Sequence, residues 1–394
     1  MYLEEYVADR KDTGKVIIYG ATIGGKIIYQ CLKYLKIEVA FFCDRAKGGT
    51  QFCDKDVRDP SVLYNIERDY KIVIAVTRSI DSVCHYLAEI HCDKCYFAKR
   101  LILDRCNYDF ECEENEKVQV DDFLRKYPIY VDGVCSNQLI LPSLEVFITE
   151  RCTLRCRDCS HLIPRYLSRG AKNYNIYVLI QQIENVLQVV DYIDDLIILG
   201  GEPLLHEELP KLLEWGYQNS RIGERTIISN ATVVPKDEVF EVMLKTNTRI
   251  RLSDYGKYSL ALEDIMKECS ARQISYFISK EPWTDMGKIY NHYYSKTELI
   301  NVFKNCPFSF ALLLLNGKLF RCPHVAHLNN LGIIDSMAHD CVDFTYALEK
   351  QEEVSAKQEE LKKYMKINYL EGCLFCNGIQ NGVQEIEPAV QGER

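Results

Sequence analysis

The chain has 394 residues, of which 47% are hydrophobic and 27% are charged, and its formal net charge is −9. This length allows two or three domains of about 100–200 residues each, and the composition is that of a soluble globular protein. The negative charge argues against nucleic acid as the main partner, because nucleic-acid binding depends on cationic contacts to phosphate.

Two features bear on the compartment. The N-terminal residues lack the apolar core of a signal peptide, and the longest apolar run, Phe310 to Leu315, is too short to span a membrane. We therefore expect a cytoplasmic protein with no membrane partner. The 18 cysteines are then expected to be metal ligands or buried thiols before disulfides. Oxygen sensitivity follows as an expectation.

Residues 1–105 have the pattern of an alternating strand-helix module. Buried strands are predicted at Lys15 to Tyr19, Val39 to Phe42 and Ile72 to Val76, and an apolar helical pattern follows the first of them. This alternation predicts a Rossmann-like domain. Residues 106–142, which carry acidic residues and scattered aromatics, are predicted to be a linker or a connecting helix.

The glycine loop of this module, Gly20 to Gly25, is an incomplete phosphate-binding loop. Thr22 stands where a dinucleotide-binding loop has its second glycine, which lets the backbone approach a pyrophosphate. Asp44 lies at a suitable separation for a ribose contact. Nucleotide or nucleotide-sugar binding and a structural or docking role both stay open.

Residues 143–280 repeat a strand-helix pattern. Repeated units of this length predict a parallel sheet curled into a full or partial barrel, whose active residues lie at the carboxyl ends of the strands. Polar motifs follow the strands at those ends. The predicted strands are Leu144 to Thr149, Asp195 to Leu199, Arg225 to Ile228, Arg249 to Leu252 and Ile274 to Ile278.

Three cysteines, Cys152, Cys156 and Cys159, follow the first of these strands with the spacing C-x3-C-x2-C. A four-iron cluster normally takes four thiolates, so three of them would leave one iron open to a small molecule. The alternative is a structural zinc knuckle in which His161 supplies the fourth ligand.

The second strand runs into Gly200-Gly201-Glu202. Glycines permit close backbone approach, and the carboxylate offers charge-assisted hydrogen bonds. The cysteine motif and this motif together resemble the signature of the radical S-adenosylmethionine (radical SAM) superfamily. The resemblance implies a 4Fe-4S cluster on the three cysteines, with its open iron chelating SAM and Gly200, Gly201 and Glu202 receiving the SAM ammonium.

The same resemblance implies further SAM contacts at the next two strand ends. Ser229 and Asn230 would touch the SAM carboxylate or ribose, and Ser253 with Asp254 occupy the following strand end. The alternative for these residues is an ordinary cap or turn, because Ser-Asn and Ser-Asp also serve those purposes.

Residues 281–394 carry a second set of four cysteines, which is the number that closes a cluster or a zinc site. Asn316-Gly317 predicts a two-residue hairpin between the first two. The pattern resembles the twitch-type auxiliary-cluster extension of radical SAM enzymes and has fewer cysteines than the SPASM type. One second 4Fe-4S cluster is therefore expected, with zinc or a place for Cys341 as alternatives. The four cysteines are Cys306, Cys322, Cys373 and Cys376.

We therefore expect an α/β protein. It would comprise a Rossmann-like domain (1–105), a linker (106–142), a partial (β/α)6 barrel of the radical SAM type (143–280) and a small C-terminal iron-sulfur extension (281–394).

The resemblance implies an enzyme that reductively cleaves SAM and abstracts a substrate hydrogen, with an electron donor such as flavodoxin or ferredoxin. The N-terminal module resembles the Rossmann-like modules that accompany sugar-modifying and polysaccharide-associated enzymes. A sugar, nucleotide-sugar or polysaccharide precursor is therefore the expected substrate, undergoing dehydrogenation, epimerisation or elimination. A peptide maturase is the second enzyme hypothesis. A zinc-stabilised interaction protein is the non-enzyme hypothesis.

Overall fold

The chain divides into two compact units, Met1–Gln138 and Leu139–Arg394. None of the helices among the described residues is long and apolar enough to cross a membrane. The N-terminal residues considered above for a signal peptide lie outside the described part of the chain. The computed structural model describes residues 15–66, 70–92, 94–104, 110–113, 116–280, 282–287, 289–306, 308–335, 339–378 and 385–392.

The first unit is built on a six-stranded sheet. Its strands are β1 Val16–Tyr19, β2 Val39–Cys43, β3 Gln51–Phe52, β4 Lys55–Arg58, β5 Lys71–Ile74 and β6 Cys95–Phe97, and its helices are α1 Ile23–Tyr34, α2 Ile80–Glu89, α3 Lys99–Leu103 and α4 Lys117–Cys135. The strand order is β3-β4-β2-β1-β5-β6. All neighbours pair in parallel except β3 with β4. The order β4-β2-β1-β5-β6 is that of a Rossmann-like sheet.

Helix α4 lies in the stretch predicted to be a linker or a connecting helix. Phe123, Tyr127 and Val131 on it are buried, and the hydroxyl of Tyr127 donates to the backbone oxygen of Ile74 at 2.5 Å. The amide of Ala98 donates to the same hydroxyl at 3.1 Å. This helix is therefore a packed part of the first unit.

The second unit is built on a larger, open sheet. The strands of the unit are β7 Ile140–Leu141, β8 Leu144–Phe147, β9 Tyr192–Leu199, β10 Ile222–Ser229, β11 Arg249–Ser253, β12 Tyr276–Ser279, β13 Trp283–Thr284, β14 Leu313–Leu315, β15 Lys318–Phe320, β16 Cys341–Asp343 and β17 Glu385–Ile386. Strands β13 and β17 form a separate two-stranded sheet. The helices of the unit are α5 Ile163–Leu167, α6 Ile176–Leu187, α7 Leu209–Gln218, α8 Asp237–Lys245, α9 Leu262–Ala271, α10 Lys296–Lys304, α11 Pro323–Asn330 and α12 Gln351–Met365.

Five consecutive strands, β8 to β12, pair in parallel with helices between them. The sheet order is β12-β11-β10-β9-β8-β14-β15-β16, and it does not close among the described strands. The expected α/β partial barrel is confirmed in this form.

A further parallel strand of this sheet comes from the C-terminal region. It is β14, which pairs with β8 on the side opposite β9. The hairpin predicted at Asn316-Gly317 forms there, with φ of 50° and 74° at the two residues. β14 and β15 pair across it. The C-terminal hairpin thus extends the same sheet.

Strand register places every second residue on the inner face of this sheet. Glu145 pairs with Ile197, Ile228 pairs with Arg251, and Ser253 pairs with Ser279. Because side chains alternate between the two faces of a strand, these residues share one face. That face and the loops at the carboxyl ends of the strands form the site described next.

Candidate functional site

The three predicted cluster ligands lie together at the carboxyl end of β8. Cys152, Cys156 and Cys159 all line a pocket of about 350 Å³. Gly200, Gly201, Asn230 and Ser253 line the same pocket, at the ends of β9, β10 and β11. The carboxyl ends of parallel strands meet at one edge of a sheet, which is why motifs distant in sequence converge here.

Hydrogen-bond donors approach the sulfur of each of these cysteines. The amide of Leu154 and the side-chain amide of Asn230 each lie 3.4 Å from Sγ of Cys152. The side-chain amide of Gln391 lies 3.5 Å from Sγ of Cys156. Backbone donors of residues 161–163 act on Cys159, where they oppose the effect of burial on its pKa. Donors placed in this way stabilise a sulfur that carries negative charge.

Burial keeps the metal-free thiols protonated. It raises the pKa of Cys152 and of Cys156 to about 12, and it raises the pKa of Cys159 as well. Only the thiolate binds metal, so a metal centre here displaces protons as it forms.

The described residues contain no group of three His, Cys, Asp or Glu side chains arranged to hold a single metal ion. A four-iron cluster makes a different demand, since each cysteine binds a different iron. The three thiols surround a pocket larger than one ion, and donors surround their sulfurs, so the residues fit a cluster of this kind.

The two glycines bring the end of β9 against the loop that follows β8 and carries Cys152, Cys156 and Cys159, which we call the cysteine loop. The amide of Gly201 donates to the backbone oxygen of Thr149 at 2.8 Å, and the amide of Glu202 donates to that of Arg151 at 2.8 Å. A Cβ at Gly200 would lie 2.7 Å from the oxygen of Thr149, and one at Gly201 would lie 2.4 Å from that of Arg151. Only glycine permits this approach.

The carboxylate of Glu202 does not line the pocket. It is fully buried and accepts from the amide of Leu204 at 3.1 Å, the hydroxyl of Ser229 at 3.1 Å and the amide of Asn230 at 2.8 Å. Burial raises its pKa to about 7, against the effect of these donors. In this structure Glu202 and Ser229 join the ends of β9 and β10 behind the pocket wall.

Asp254 also lies outside the pocket wall. Its carboxylate pairs with Lys280 at 2.9 Å and accepts from the amide of Gly256 at 2.9 Å. These contacts hold the pKa of Asp254 below its ordinary value. The reason is strand alternation: Asn230 and Ser253 face the pocket, so their neighbours Ser229 and Asp254 face elsewhere.

His161, the fourth ligand of the zinc hypothesis, packs on aromatic rings. It stacks on Phe147 with a centroid distance of 5.9 Å and an angle of 13°, and its Nδ1 lies 3.2 Å from the hydroxyl of Ser160. Its Nε2 has no hydrogen-bond partner among the described residues. Burial lowers the pKa of His161 to about 4.

Two pocket residues, Glu145 and Arg251, had not been identified from the sequence. Both line the inner wall of the pocket, on β8 and β11. The side chain of Glu145 is half-buried, and protein surrounds it, so burial raises its pKa to about 7 while Arg251 acts in the opposite direction. The sequence pattern that could have identified them is a charged residue at alternate positions of otherwise apolar strands.

The four C-terminal cysteines converge on a second cavity. Cys306, Cys322, Cys373 and Cys376 line it together with His324. Cys322 is within electrostatic range of the other three, and burial is the main reason that its pKa is raised. Burial also raises the pKa of Cys373 to about 12 and that of Cys376 to about 11.

Cys341 lies apart from this group. The charged groups that act on its thiol are Lys318 and acidic residues, with no cysteine among them. Its neighbour Asp340 supports the cysteine group through the backbone instead, accepting from the amides of Glu371 and Gly372 at 2.7 and 2.6 Å. Those residues begin the short 3-10 helix Glu371–Phe375, which carries Cys373.

The two cavities adjoin. Thr284, Met286 and Phe308 line both of them. The two sets of cysteines therefore face a common region of the second unit, between the barrel strands and the C-terminal region.

In the first unit, Asp44 holds the glycine loop itself. Its carboxylate accepts from the amide of Ala21 at 3.0 Å and from that of Ala46 at 2.9 Å, while Lys47 donates to the backbone oxygen of Ala21 at 2.6 Å. A Cβ at Gly24 would lie 2.2 Å from the ring of Phe123. The loop glycine and Asp44 thus serve internal packing in this structure.

The chain matches no protein-family model and no curated protein. Solved structures with a similar arrangement include hexahistidine-tagged anSMEcpe with bound AdoMet, at 15% identity and a TM-score of 0.36, over 58% of this chain and 81% of that one. BtrN in complex with AdoMet and 2-DOIA matches at 14% identity and a TM-score of 0.39, over 61% and 94%. Streptococcus suis SuiB bound to S-adenosylmethionine matches at 13% identity and a TM-score of 0.25, over 57% and 56%. Values this low assign neither a family nor an activity to this chain.

Proposed function

We propose that the chain is a radical SAM enzyme. The observation that carries the proposal is the convergence of Cys152, Cys156 and Cys159, each with hydrogen-bond donors on its sulfur, on the pocket lined by Gly200 and Gly201. Three thiolates leave one iron of a 4Fe-4S cluster without a protein ligand, next to backbone that only glycine allows.

The chain would bind SAM through the strand ends around this pocket. Backbone groups of Gly200 and Gly201 would receive the ammonium group, and Asn230 and Ser253 would contact the carboxylate or ribose. Glu202 and Ser229 would act behind them by fixing the two strand ends. When bound, the cluster would supply the electron that breaks the S–C5′ bond of SAM, which would release methionine and leave a 5′-deoxyadenosyl radical able to take a hydrogen atom from the substrate.

The inner wall of the pocket favours a polar substrate. The interior of a closed eight-stranded (β/α) barrel is usually filled with bulky apolar side chains, whereas Glu145, Arg251 and Ser279 stand among the apolar residues of this wall. Carboxylate, guanidinium and hydroxyl groups bind neighbouring hydroxyls well. We therefore assign a hydroxyl-rich substrate of the sugar or nucleotide-sugar type, undergoing dehydrogenation, epimerisation or elimination.

The second cysteine group would hold an auxiliary 4Fe-4S cluster. Its four thiols face one cavity and leave no ligand position open. A protein electron donor of the flavodoxin or ferredoxin kind would reduce the enzyme.

Anaerobic reconstitution with iron and sulfide tests the proposal. Reduced wild-type protein should convert SAM to 5′-deoxyadenosine, and Cys156→Ala should not. Cys269→Ala is the matched control, because Cys269 is a buried thiol on α9 outside both cysteine groups. The proposal fails if the wild-type protein takes up no iron or forms no 5′-deoxyadenosine.

A substrate screen tests the sugar assignment separately. Sugars or nucleotide sugars should accelerate 5′-deoxyadenosine formation, and Glu145→Gln should lose that acceleration while keeping slow cleavage of SAM alone. Acceleration by peptides and by no sugar would favour the maturase hypothesis instead.

A further inference from the structure

The cysteine loop is paired with a segment that lies more than 200 residues further along the chain. We call residues 385–392 the C-terminal strap. Cys156 forms an antiparallel bridge with Gln391. The amide of Arg157 donates to the backbone oxygen of Val390, and the amide of Gly392 donates to that of Arg155, both at 2.8 Å. Two backbone hydrogen bonds therefore flank Cys156 and fix its position against the strap.

The side chain of Gln391 completes this pairing. Its Oε1 accepts from the amide of Arg155 at 2.7 Å, and its Nε2 donates to the backbone oxygen of Ala389 at 2.6 Å and to Sγ of Cys156 at 3.5 Å. A side-chain amide with its oxygen anchored in this way has its N–H groups directed by geometry. Gln391 thus offers a donor fixed in place toward one sulfur.

The strap turn is built on Ala389, which is fully buried and has φ of 57°. A residue with a Cβ adopts this left-handed conformation only at a cost, so surrounding contacts must hold it. The turn presents the side chain of Gln391 to the loop.

The other end of the strap lies at the substrate side of the pocket. Strand β17 at its start pairs with β13, joining Ile386 to Trp283 and Glu385 to Thr284. Trp283 and Thr284 both line the pocket. The strap therefore connects the pocket wall to the loop that carries Cys156.

We propose that Gln391 is a positioning residue of the cluster site, which orients Cys156 and raises the reduction potential of the cluster bound there. The inference rests on the proposed function. An N–H donated to a cluster sulfur stabilises the more negative, reduced state more than the oxidised one, and such hydrogen bonds are among the determinants of cluster potential. The strap fixes this donor through contacts that the cysteine motif does not contain.

Gln391→Glu and Gln391→Ala separate the two parts of this role. Glutamate keeps an oxygen for the amide of Arg155 but replaces the donor with a negative charge, whereas alanine removes both. The matched control is Glu387→Gln on the exposed part of the strap. The measurement is an anaerobic redox titration followed by EPR, made in a Cys322→Ala background so that one cluster is observed.

At a fixed potential, the ratio of reduced to oxidised cluster should fall about threefold or more in Gln391→Ala and further in Gln391→Glu. Glu387→Gln should match the parent. Equal midpoint potentials in parent and both Gln391 variants, at equal iron content, would overturn the inference.

A second readout uses the protein without iron. Cys156 is 7% exposed beneath the strap, so truncation after Pro388 should increase its alkylation rate, measured by mass spectrometry, relative to that of Cys152. Unchanged relative rates would show that the strap does not cover Cys156. Failure of the proposed function is distinguishable, because the wild-type protein itself would then form no cluster.

Discussion

Gly201 and Cys152 lie so close that a Cβ on the glycine would come within 2.8 Å of the Cβ of the cysteine and within 2.4 Å of the backbone oxygen of Arg151. Real Cβ atoms do not approach backbone this closely, so Gly201→Ala must displace the cysteine loop. We expect a loss of about 1–3 kcal/mol in stability. Displacing a ligand by about 1 Å is also expected to slow 5′-deoxyadenosine formation by about tenfold to a hundredfold.

The control for this substitution is Gly216→Ala on α7. There the nearest neighbours of the added Cβ are methylenes of the buried Arg225 side chain, at 3.3 and 3.5 Å, which would have to shift by only a few tenths of an ångström. Iron content, melting temperature and 5′-deoxyadenosine formation should stay close to wild type. Equal activity of Gly201→Ala and wild type would contradict the assigned role of the glycine.

The four C-terminal cysteines predict a second, separable cluster. Cys322→Ala should reduce iron from about eight to about four atoms per chain and leave at least part of the SAM cleavage intact. Cys341→Ala is the control, since no cysteine acts on that thiol. Full iron content in the Cys322 variant, or equal iron loss in the Cys341 variant, would refute the ligand assignment.

Glu145 should make stability depend on pH. Burial raises its pKa from the ordinary 4.5 to about 7 in the folded protein. The contribution of the protonated carboxyl to the free energy of unfolding is therefore fully present below pH 4.5 and is lost as pH rises to about 7. The loss is at most about 3 kcal/mol. Glu145→Gln does not ionise, so the melting temperature of the metal-free variant should rise relative to wild type from about pH 5 to about pH 8. A pH-independent difference would place the carboxyl in contact with water.

Tyr127 tests whether α4 belongs to the first unit. Its buried hydroxyl bonds the backbone of Ile74 and of Ala98, and Tyr127→Phe would leave both of those contacts unmade. Each buried polar group left unsatisfied costs about 1–3 kcal/mol, so the free energy of unfolding of this unit should fall by at least that amount. Tyr64→Phe is the control, because that side chain is 64% exposed. Equal stabilities would argue that α4 is detachable.

Most of the candidate site could be predicted from the spacing of residues within short motifs and from the strands that precede them. The cysteine motif and the two glycines follow strands whose apolar pattern is strong, so their meeting at one edge of the sheet follows from topology. Predicting which face of a strand each residue occupies requires the exact strand register. Asn230 lines the pocket, whereas its neighbour Ser229 binds Glu202 behind it. Spacing alone cannot make that distinction.

Other features depended on tertiary contacts. Gln391 lies 235 residues from Cys156, in a segment without a strong pattern of its own. Helix α4 contains Pro128, and proline inside a helix weakens the sequence signal for one. Strands β13 and β17 have two residues each, too few to show a period.

In the proposed site, one iron of the cluster held by Cys152, Cys156 and Cys159 is open to SAM. The decisive measurement is EPR of the reduced Cys322→Ala protein, with and without SAM. We predict a cluster signal that changes shape and g values when SAM is added, and that is absent when Cys156 is also replaced by alanine. A cluster signal that SAM leaves unchanged, or no cluster signal at all, would rule out an open iron at this site.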